Sequence, residues 1–208
     1  VSSGVQIIIY SGQYTFAALK PDGSVVTWGN ANYGGDSSSV SSSLSSGVSE
    51  VYASERAFAA VKDDGSVVAW GEANYGGDSS SVSSSLSNGV SSVYSTDKAF
   101  AALKDDGSVV AWGNSSYIAG ATSAALYSGV STIYSNKAAF AALKDDGSVV
   151  TWGLDGNNTT GGTGDDSSSV SSSLSSGVSV IYSADFAFAA LKTDGSLVTW
   201  GQGYRGGD

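Results

Sequence analysis

Short segments rich in β-branched and aromatic residues recur along the chain. One stretch contains three of them, residues 48–52, 57–62 and 66–70, separated by turn-forming residues. Segments of this length and composition are typical of β-strands. The pattern predicts three short strands in this stretch, and the same order of segments returns before and after it.

Three aromatic residues mark the repeat. A Trp-Gly pair occurs five times, a phenylalanine lies twelve positions before each tryptophan, and a tyrosine lies six positions before each phenylalanine. They are Tyr10, Tyr52, Tyr94, Tyr134 and Tyr182; Phe16, Phe58, Phe100, Phe140 and Phe188; and Trp28, Trp70, Trp112, Trp152 and Trp200. Self-similarity of this kind indicates a repeat architecture. We predict one mainly β domain over residues 1–208, built of five repeats at approximately 1–36, 37–78, 79–120, 121–166 and 167–208.

The turn between the second and third strands sets their register. In the first copy it spans residues 20–24, where Pro21 fixes φ near −65° and favours a type I turn with Gly23 in the left-handed conformation. Such a turn pairs Phe16 with Trp28. The two faces of the sheet then carry Phe16, Ala18, Val26 and Trp28 on one side and Ala17, Leu19, Val25 and Thr27 on the other. We expect the bulky face of one copy to cover the smaller face of its neighbour.

The connector that follows each tryptophan is rich in serine. In the first copy Asp36 or Ser37 can cap a helix N-terminus, and Gly47 suits the left-handed position after a helix. Val40 and Leu44 would lie on one side of that helix. Because serine is a poor helix former, docking of these two side chains must hold it. We predict a short helix of about two turns in the connectors.

The order of these segments resembles the RCC1 repeat. The matching elements are a strand, a second strand beginning Ala-Phe-Ala-Ala-Leu-Lys, an Asp-Gly-Ser turn, Val-Val-Thr-Trp-Gly and a Tyr-Gly-Gly segment, and they cover nearly the whole chain. The histidine that the family carries before the second strand is missing, and Tyr-Gly-Gly-Asp with the serine connector replaces its Gly-Gln-Leu-Gly segment. The repeat is most similar to a bacterial branch that includes a secreted β-lactamase-inhibitor propeller. The resemblance implies a β-propeller of five repeats, with blades of three antiparallel strands.

Five blades are enough for a closed propeller, because propellers carry roughly 4 to 8 blades and bury both faces of each sheet between neighbours. Members of the family that the repeat resembles commonly have seven blades. Two alternatives therefore stay open: five consecutive blades of a larger ring, and an open arc whose blades meet those of another chain. We expect a closed ring of five.

Composition narrows the chemistry. The 208 residues include 19 acidic and 9 basic ones, for a net charge of −10, and no histidine, cysteine or methionine. The negative charge disfavours nucleic acid and anionic membrane surfaces as partners. The absence of imidazole and thiol groups removes the usual nucleophiles, general bases and soft metal ligands. We therefore expect no enzymatic activity, no cofactor and no membrane insertion.

The largest differences between copies lie between the first and second strands. Because equivalent turns of a propeller gather at one end, they would form one composite surface, and recognition usually resides in such loops. The candidate partner-binding residues are Gln13, Tyr14, Glu55, Arg56, Asp97, Lys98, Asn136, Lys137, Asp185 and Phe186. The alternative is that exposed tips vary without any role in binding. The functional hypothesis is a protein or glycan partner at this surface.

Other features have both a structural and a functional interpretation. The tryptophans offer stacking surfaces for sugars, but their predicted position opposite phenylalanine favours a core role. We expect exposed side chains at Tyr33, Tyr75, Tyr117 and Tyr204. The insertion in the fourth connector carries weak calcium-ligand candidates, Asp155, Asn157, Asp165 and Asp166, but lacks the glutamate that closes an EF-hand. We favour a mobile surface loop there and predict no metal site.

These features favour a non-enzymatic extracellular repeat protein that acts as a structural or adhesive module of a larger bacterial surface protein. Near-identical, serine-rich copies suit architecture more than chemistry, and a sequence that starts at Val1 is expected to be a processed or excised piece. The alternatives are a secreted protein inhibitor that uses one face of the propeller and a glycan-binding propeller. Self-assembly of copies is a further expectation, whereas the net negative charge disfavours nucleotide exchange on chromatin.

Overall fold

The computed structural model describes residues 6–154 and 166–207, and these residues are mainly β-structure. Within them, fifteen strands form five separate three-stranded sheets. In each sheet the strands are antiparallel and lie side by side in chain order. Each sheet corresponds to one sequence repeat, and the sheets are called blade 1 to blade 5 in chain order. The predicted propeller of five three-stranded units is confirmed.

The strands are short, with four to six residues each. They are β1 (Ile8–Ser11), β2 (Thr15–Leu19), β3 (Val25–Gly29), β4 (Val48–Ala53), β5 (Ala57–Lys62), β6 (Val67–Gly71), β7 (Val90–Ser95), β8 (Ala99–Lys104), β9 (Val109–Gly113), β10 (Val130–Ser135), β11 (Ala139–Lys144), β12 (Val149–Gly153), β13 (Val178–Ser183), β14 (Ala187–Lys192) and β15 (Leu197–Gly201). Strands β1–β3 form blade 1, and each following group of three forms the next blade.

The turn between the second and third strands has the predicted geometry. In blade 1 the Lys20 amide donates to the Ser24 carbonyl at 2.9 Å, and Gly23 has a φ of 74°. Phe16 consequently pairs with Trp28, and their rings stack with centroids 5.4 Å apart. The same pairing of phenylalanine with tryptophan is present in the other four blades. The turn chemistry therefore places both rings on the same face of every blade.

The blades are held together by packing between unlike faces. The aliphatic face of each blade meets the aromatic face of the next, which gives four apolar cores between the five blades. The core between blades 1 and 2 contains Ala17, Leu19, Val25, Leu44, Val48, Val51, Phe58, Ala60 and Trp70. Burial of each large apolar side chain contributes roughly 1.5–3 kcal/mol, so these junctions are the main source of stability.

The serine-rich connectors are tighter than the predicted two-turn helix. The first connector contains two 3-10 turns, Ala31–Tyr33 and Ser38–Val40, and the second of them is followed by non-helical turns. Ala73–Tyr75 and Gly203–Arg205 are equivalent to the first. The Ser41 hydroxyl donates to the Ser38 carbonyl at 2.9 Å, and such local bonds compete with α-helical pairing. Asp36 caps the turn by accepting from the Ser38 amide at 2.9 Å, and buried Leu44 anchors the segment. Equivalent turns are found at Ser80–Val82 and Ser168–Val170.

The outer faces of the first and last blades stay uncovered, so the five blades form an open arc rather than the expected closed ring. Trp28 is 43% exposed, although each of the other four repeat tryptophans is at most 2% exposed. At the other end of the arc, Leu197 is 67% exposed. Each end therefore presents one of the two kinds of face that the internal junctions bury.

Candidate binding surface at the blade tips

The turns between the first and second strands of all five blades lie together. We call residues 12–14, 54–56, 96–98, 136–138 and 184–186 the tip surface. Backbone bonds link neighbouring tips in series: the amides of Gln13, Glu55, Asp97 and Lys137 donate to the carbonyls of Glu55, Asp97, Lys137 and Asp185 at 2.7, 3.0, 3.0 and 3.1 Å. Among the described residues no backbone bond returns from Asp185 to Gln13, which agrees with the open arc. The structure thus brings the predicted candidate residues together.

The linked tips surround a recess of about 540 Å³. Each blade contributes three residues to its lining, which are Ser11, Gly12, Gln13, Ala53, Ser54, Glu55, Ser95, Thr96, Asp97, Ser135, Asn136, Lys137, Ser183, Ala184 and Asp185. Three of these carry carboxylates and one carries an ammonium group, so the recess is acidic. Lys137 Nζ lies 2.7 Å from Asp185 Oδ2, so the lysine charge mainly neutralises Asp185. The negative charges of Glu55 and Asp97 are less neutralised.

Asp97 is the perturbed carboxyl of the recess. Burial raises its pKa to about 6, and the negative charges of Glu55 and Asp185 act in the same direction. The positive charges of Lys137 and Lys98 offset part of this effect. A carboxylate with a raised pKa is poorly solvated and poorly paired, so its charged form would be stabilised by a cation that enters the recess.

Cationic and aromatic side chains alternate around part of the recess rim. The Arg56 guanidinium lies between the rings of Tyr33 and Tyr75, with Cζ 4.5 and 4.6 Å from the ring centroids. Lys98 Nζ lies between Tyr75 and Tyr117, at 5.3 and 5.7 Å. Each contact has cation–π geometry and contributes about 0.5–1 kcal/mol at an exposed site. We call these five residues the cation–aromatic belt.

The two ends of the arc differ from the belt. At blade 1, the rings of Tyr14 and Tyr33 lie 6.1 Å apart. In the belt the cation is on the tip and the aromatic residue follows the tryptophan, but blade 5 has the opposite arrangement. Phe186 is on its tip and Arg205 follows its tryptophan, with the Arg205 Cζ 4.5 Å from the centroid of the Phe186 ring. Lys137 from blade 4 lies 5.9 Å from the same ring. The rim therefore begins with an exposed aromatic residue and ends with an arginine.

Sequence reasoning identifies the tip residues but misses the tyrosines of the belt. They are expected to be exposed, yet Tyr75 is buried and Tyr33 and Tyr117 are half-buried beside the cations. Their signal in the sequence is position, since each lies five residues after a repeat tryptophan and next to a tip that carries a cation. The side chain of Tyr204 is outside the described part of the structure.

The tryptophans are not available as a ring of sugar-stacking platforms. Trp70, Trp112, Trp152 and Trp200 lie in the cores between blades, and only Trp28 presents its ring to solvent among the five. A repeated aromatic platform would need several exposed rings at one end of the propeller. The glycan alternative is left with the tip surface alone.

The calcium candidates fall mostly outside the described residues. This applies to Asp155, Asn157 and Asp165, whereas Asp166 is described and accepts from the amide and hydroxyl of Ser168 at 3.0 and 2.7 Å. Asp166 therefore caps a 3-10 turn. Within residues 6–154 and 166–207, no group of three or more histidine, cysteine or acidic side chains is arranged to hold a metal ion. No helix in those residues is long and apolar enough to span a membrane.

Replacing Asp97 by asparagine is expected to stabilise the fold at neutral pH. Folding raises the pKa of this carboxyl from 3.8 to about 6, so holding its charged form costs free energy above pH 6. The shift corresponds to about 3 kcal/mol at most, and solvent screening of this half-exposed group reduces it to about 1 kcal/mol. The wild-type chain therefore loses stability as the pH rises from about 4 to about 6, whereas the variant does not have this loss.

Thermal melts of both proteins at about pH 3.5 and about pH 7.5 measure this effect, because only the higher pH should separate them. Asp105→Asn is the matched control, since Asp105 lies on the same blade in an exposed hairpin turn. Equal melting temperatures of wild type and Asp97→Asn at the higher pH would contradict the assignment of Asp97 as a destabilised carboxylate.

Comparison with known protein families and with curated protein sequences finds no match. Several solved structures share the fold. The ectodomain of the Physcomitrella patens receptor kinase CR4 aligns with a TM-score of 0.56 and 15% identity over 97% of this chain and 52% of its own. Human WBSCR16 aligns with a TM-score of 0.58 and 18% identity, over 97% of this chain and 63% of its own. Prp20p from Saccharomyces cerevisiae aligns with a TM-score of 0.58 and 20% identity, over 94% of this chain and 57% of its own.

These similarities establish an RCC1-like β-propeller fold, since Prp20 is the yeast RCC1 protein. At 15–20% identity they establish the fold alone. The chain spans between 52% and 63% of the length of these three structures. The bacterial secreted branch of the family stays a prediction.

Proposed function

We propose that this chain is a non-enzymatic protein-binding module whose tip surface receives a basic side chain of its partner. The observation that carries the proposal is the acidic recess at the centre of five linked tips, bordered by the cation–aromatic belt. The first two connectors are constant, because residues 31–45 and 73–87 are identical, while the tips differ in every copy. Variable loops on a rigid repeated scaffold are typical of recognition surfaces.

The chemistry of the recess favours a lysine or arginine as the inserted side chain. In the described residues neither Glu55 nor Asp97 forms an ion pair with a lysine or arginine. Burial, together with the negative charges of Glu55 and Asp185, raises the pKa of Asp97 to about 6. An incoming ammonium or guanidinium group would form charge-assisted hydrogen bonds there. Exposed Tyr14 and the half-buried Phe186 supply apolar contact at the rim, and residues of this type dominate binding hot spots.

Structural neighbours support a protein partner. Prp20p has binding properties toward Gsp1p and histones, and another structure holds Kap60 bound to yeast RCC1. Gsp1p, histones and Kap60 are partners of the yeast protein and are not assigned to this chain. For this chain they support the general use of an RCC1-like propeller as a protein-binding scaffold, which is the use proposed here.

For the biological setting we propose the surface of a bacterial cell, with the module as a structural or adhesive part of a larger extracellular protein. The absence of cysteine and methionine suits an oxidising environment. A secreted inhibitor is the second candidate, and the acidic recess favours it because it would also accept a basic side chain from an enzyme. The two settings share one binding surface and one test.

Selection from a library of displayed peptides of about 12 residues tests the proposed binding surface. We expect peptides enriched on the wild-type chain to contain lysine or arginine. Their binding should weaken at least about tenfold for the combined variant Glu55→Gln/Asp97→Asn/Asp185→Asn, which removes about 1.4 kcal/mol or more of binding free energy. Binding should also weaken between about pH 7 and pH 5, as Asp97 becomes protonated.

The matched control is the combined variant Asp63→Asn/Asp105→Asn/Asp145→Asn. It removes the same number of carboxylates from exposed turns at the opposite ends of blades 2, 3 and 4 and should bind like wild type. A second variant, Tyr14→Ala/Arg56→Ala/Phe186→Ala, should fold and lose binding. Selected peptides that bind wild type and the Glu55, Asp97 and Asp185 variant equally would refute the proposal.

A further inference from the structure

The two ends of the arc expose apolar faces that the internal blades bury. The head face is on blade 1 and consists of Ile9, Phe16, Val26 and Trp28, all of them exposed. The tail face is on blade 5 and consists of exposed Tyr182 and Leu197 with half-buried Leu191. Together they hold most of the large hydrophobic side chains that are exposed in the described residues. Contiguous exposed apolar faces mark interaction sites.

The two faces are complementary halves of a junction that the chain already forms. The head face corresponds to the aromatic side of blade 2, where Phe58 and Trp70 are at most 2% exposed. The tail face corresponds to the aliphatic side of blade 1, where Leu19 and Val25 cover those rings. Unlike faces of this kind meet at all four junctions inside the chain. The surface that best fits the head face is therefore the tail face of another copy.

A polar contact that two of the four internal junctions contain is also prepared at the ends. Trp152 Nε1 and Trp200 Nε1, at the other two junctions, do not form it. Trp112 Nε1 donates to the Gly76 carbonyl of the preceding blade at 3.0 Å, and the same bond joins blades 1 and 2 at 3.1 Å. Gly76 is left-handed, with a φ of 96°, and follows a 3-10 turn. Gly206 has the same place and conformation after blade 5, with a φ of 99°. Its carbonyl is placed to accept from Trp28 of a following copy.

The rim residues at the two ends match as well. Within the chain, the last residue of the 3-10 turn lies over the tip of the next blade, as Tyr33 lies over Arg56. Arg205 occupies that position after blade 5, and Tyr14 occupies the tip position of blade 1. Arg205 thus stands where the internal blades have a tyrosine, and Tyr14 stands where blade 2 has an arginine. Docking of the two ends would therefore bring Arg205 of one copy over Tyr14 of the next and create one more cation–π contact.

We infer that the chain associates head to tail, with the tail face of one copy docked on the head face of a second copy. Because the two faces differ, this interface is heterologous and gives a ring where the rotation closes and a filament where it does not. A two-fold dimer would instead pair two bulky head faces and leave Arg205 and Tyr14 apart. The inference is independent of the binding role proposed for the tip surface.

Two single substitutions test the polarity of the interface. Ile9→Glu places a charge on the head face, and Leu197→Glu places one on the tail face; both side chains are more than 60% exposed, so folding should be preserved and is checked by circular dichroism. Wild type at about 100 μM should sediment with a mass at least twice that of the 20.8 kDa chain. Each variant alone should be a single chain. An equimolar mixture should form 1:1 dimers, because one free tail face and one free head face remain.

The control and a second measurement keep the test decisive. Tyr127→Glu alters an equally exposed apolar side chain outside both faces and should assemble like wild type. Because Trp28 is the exposed repeat tryptophan, dilution of wild type should shift the fluorescence to longer wavelength as this ring returns to water. A wild-type chain that is monomeric at about 100 μM would overturn the inference. Dimers formed by the Leu197→Glu variant alone would overturn it in favour of two-fold pairing.

Discussion

Trp112→Ala is expected to lower the free energy of unfolding by about 4 kcal/mol, and Trp28→Ala by only about 1 kcal/mol. The two tryptophans occupy the same position of the repeat and stack on a phenylalanine in the same way, with centroids 5.3 and 5.4 Å apart. Trp112 is 1% exposed in the core between blades 2 and 3, so its truncation leaves a cavity and strands the Gly76 carbonyl. Trp28 is 43% exposed, and water fills the space it leaves.

Urea unfolding followed by circular dichroism measures both changes, at a concentration where sedimentation shows single chains. The comparison controls for the chemistry of the substitution, because the residue removed, its stacking partner and its strand are equivalent. A loss for Trp28→Ala as large as that for Trp112→Ala in single chains would mean that blade 5 covers blade 1 in solution. That result would contradict the open arc.

The fold is predictable from the sequence because its determinants are local and repeated. Pro21 and Gly23 define one turn type, that turn fixes the pairing of Phe16 with Trp28, and the pairing divides each sheet into a bulky and a small face. Once the faces are known, their packing between blades follows from shape. The gathering of the variable turns at one end follows from the propeller topology, which is why the sequence predicts that these turns lie together.

Other features depend on relations between blades, which the sequence of one repeat does not contain. Tyr75 is buried in the core between blades 2 and 3, and cations from two tips, Arg56 and Lys98, approach its ring. The connectors form 3-10 turns because hydroxyls such as that of Ser41 bond to nearby carbonyls, a competition that apolar spacing does not reveal. Closure depends on the angle accumulated over four junctions, so no single residue indicates that Trp28 stays uncovered.

Gly76→Ala is expected to cost about 3 kcal/mol of stability, against about 1 kcal/mol for Gly206→Ala. Both glycines follow a 3-10 turn in the left-handed conformation, with φ values of 96° and 99°. A β-carbon at Gly76 would lie 2.5 Å from Cδ2 of the buried Phe100 ring, whereas one at Gly206 meets nothing within 4 Å. The strain of the left-handed backbone is therefore common to both, and only Gly76→Ala adds a collision in a packed core.

The difference between these two variants measures how closely adjacent blades approach. Phe100 cannot move away easily, because its ring is fully buried and stacks on Trp112. Chemical unfolding of both variants as single chains should give midpoints that fall in the order wild type, Gly206→Ala, Gly76→Ala. Equal losses would show that backbone strain alone requires glycine in the connectors. A larger loss at Gly76 would show that close contact with the next blade requires it too, which would make this glycine a part of the inter-blade junction.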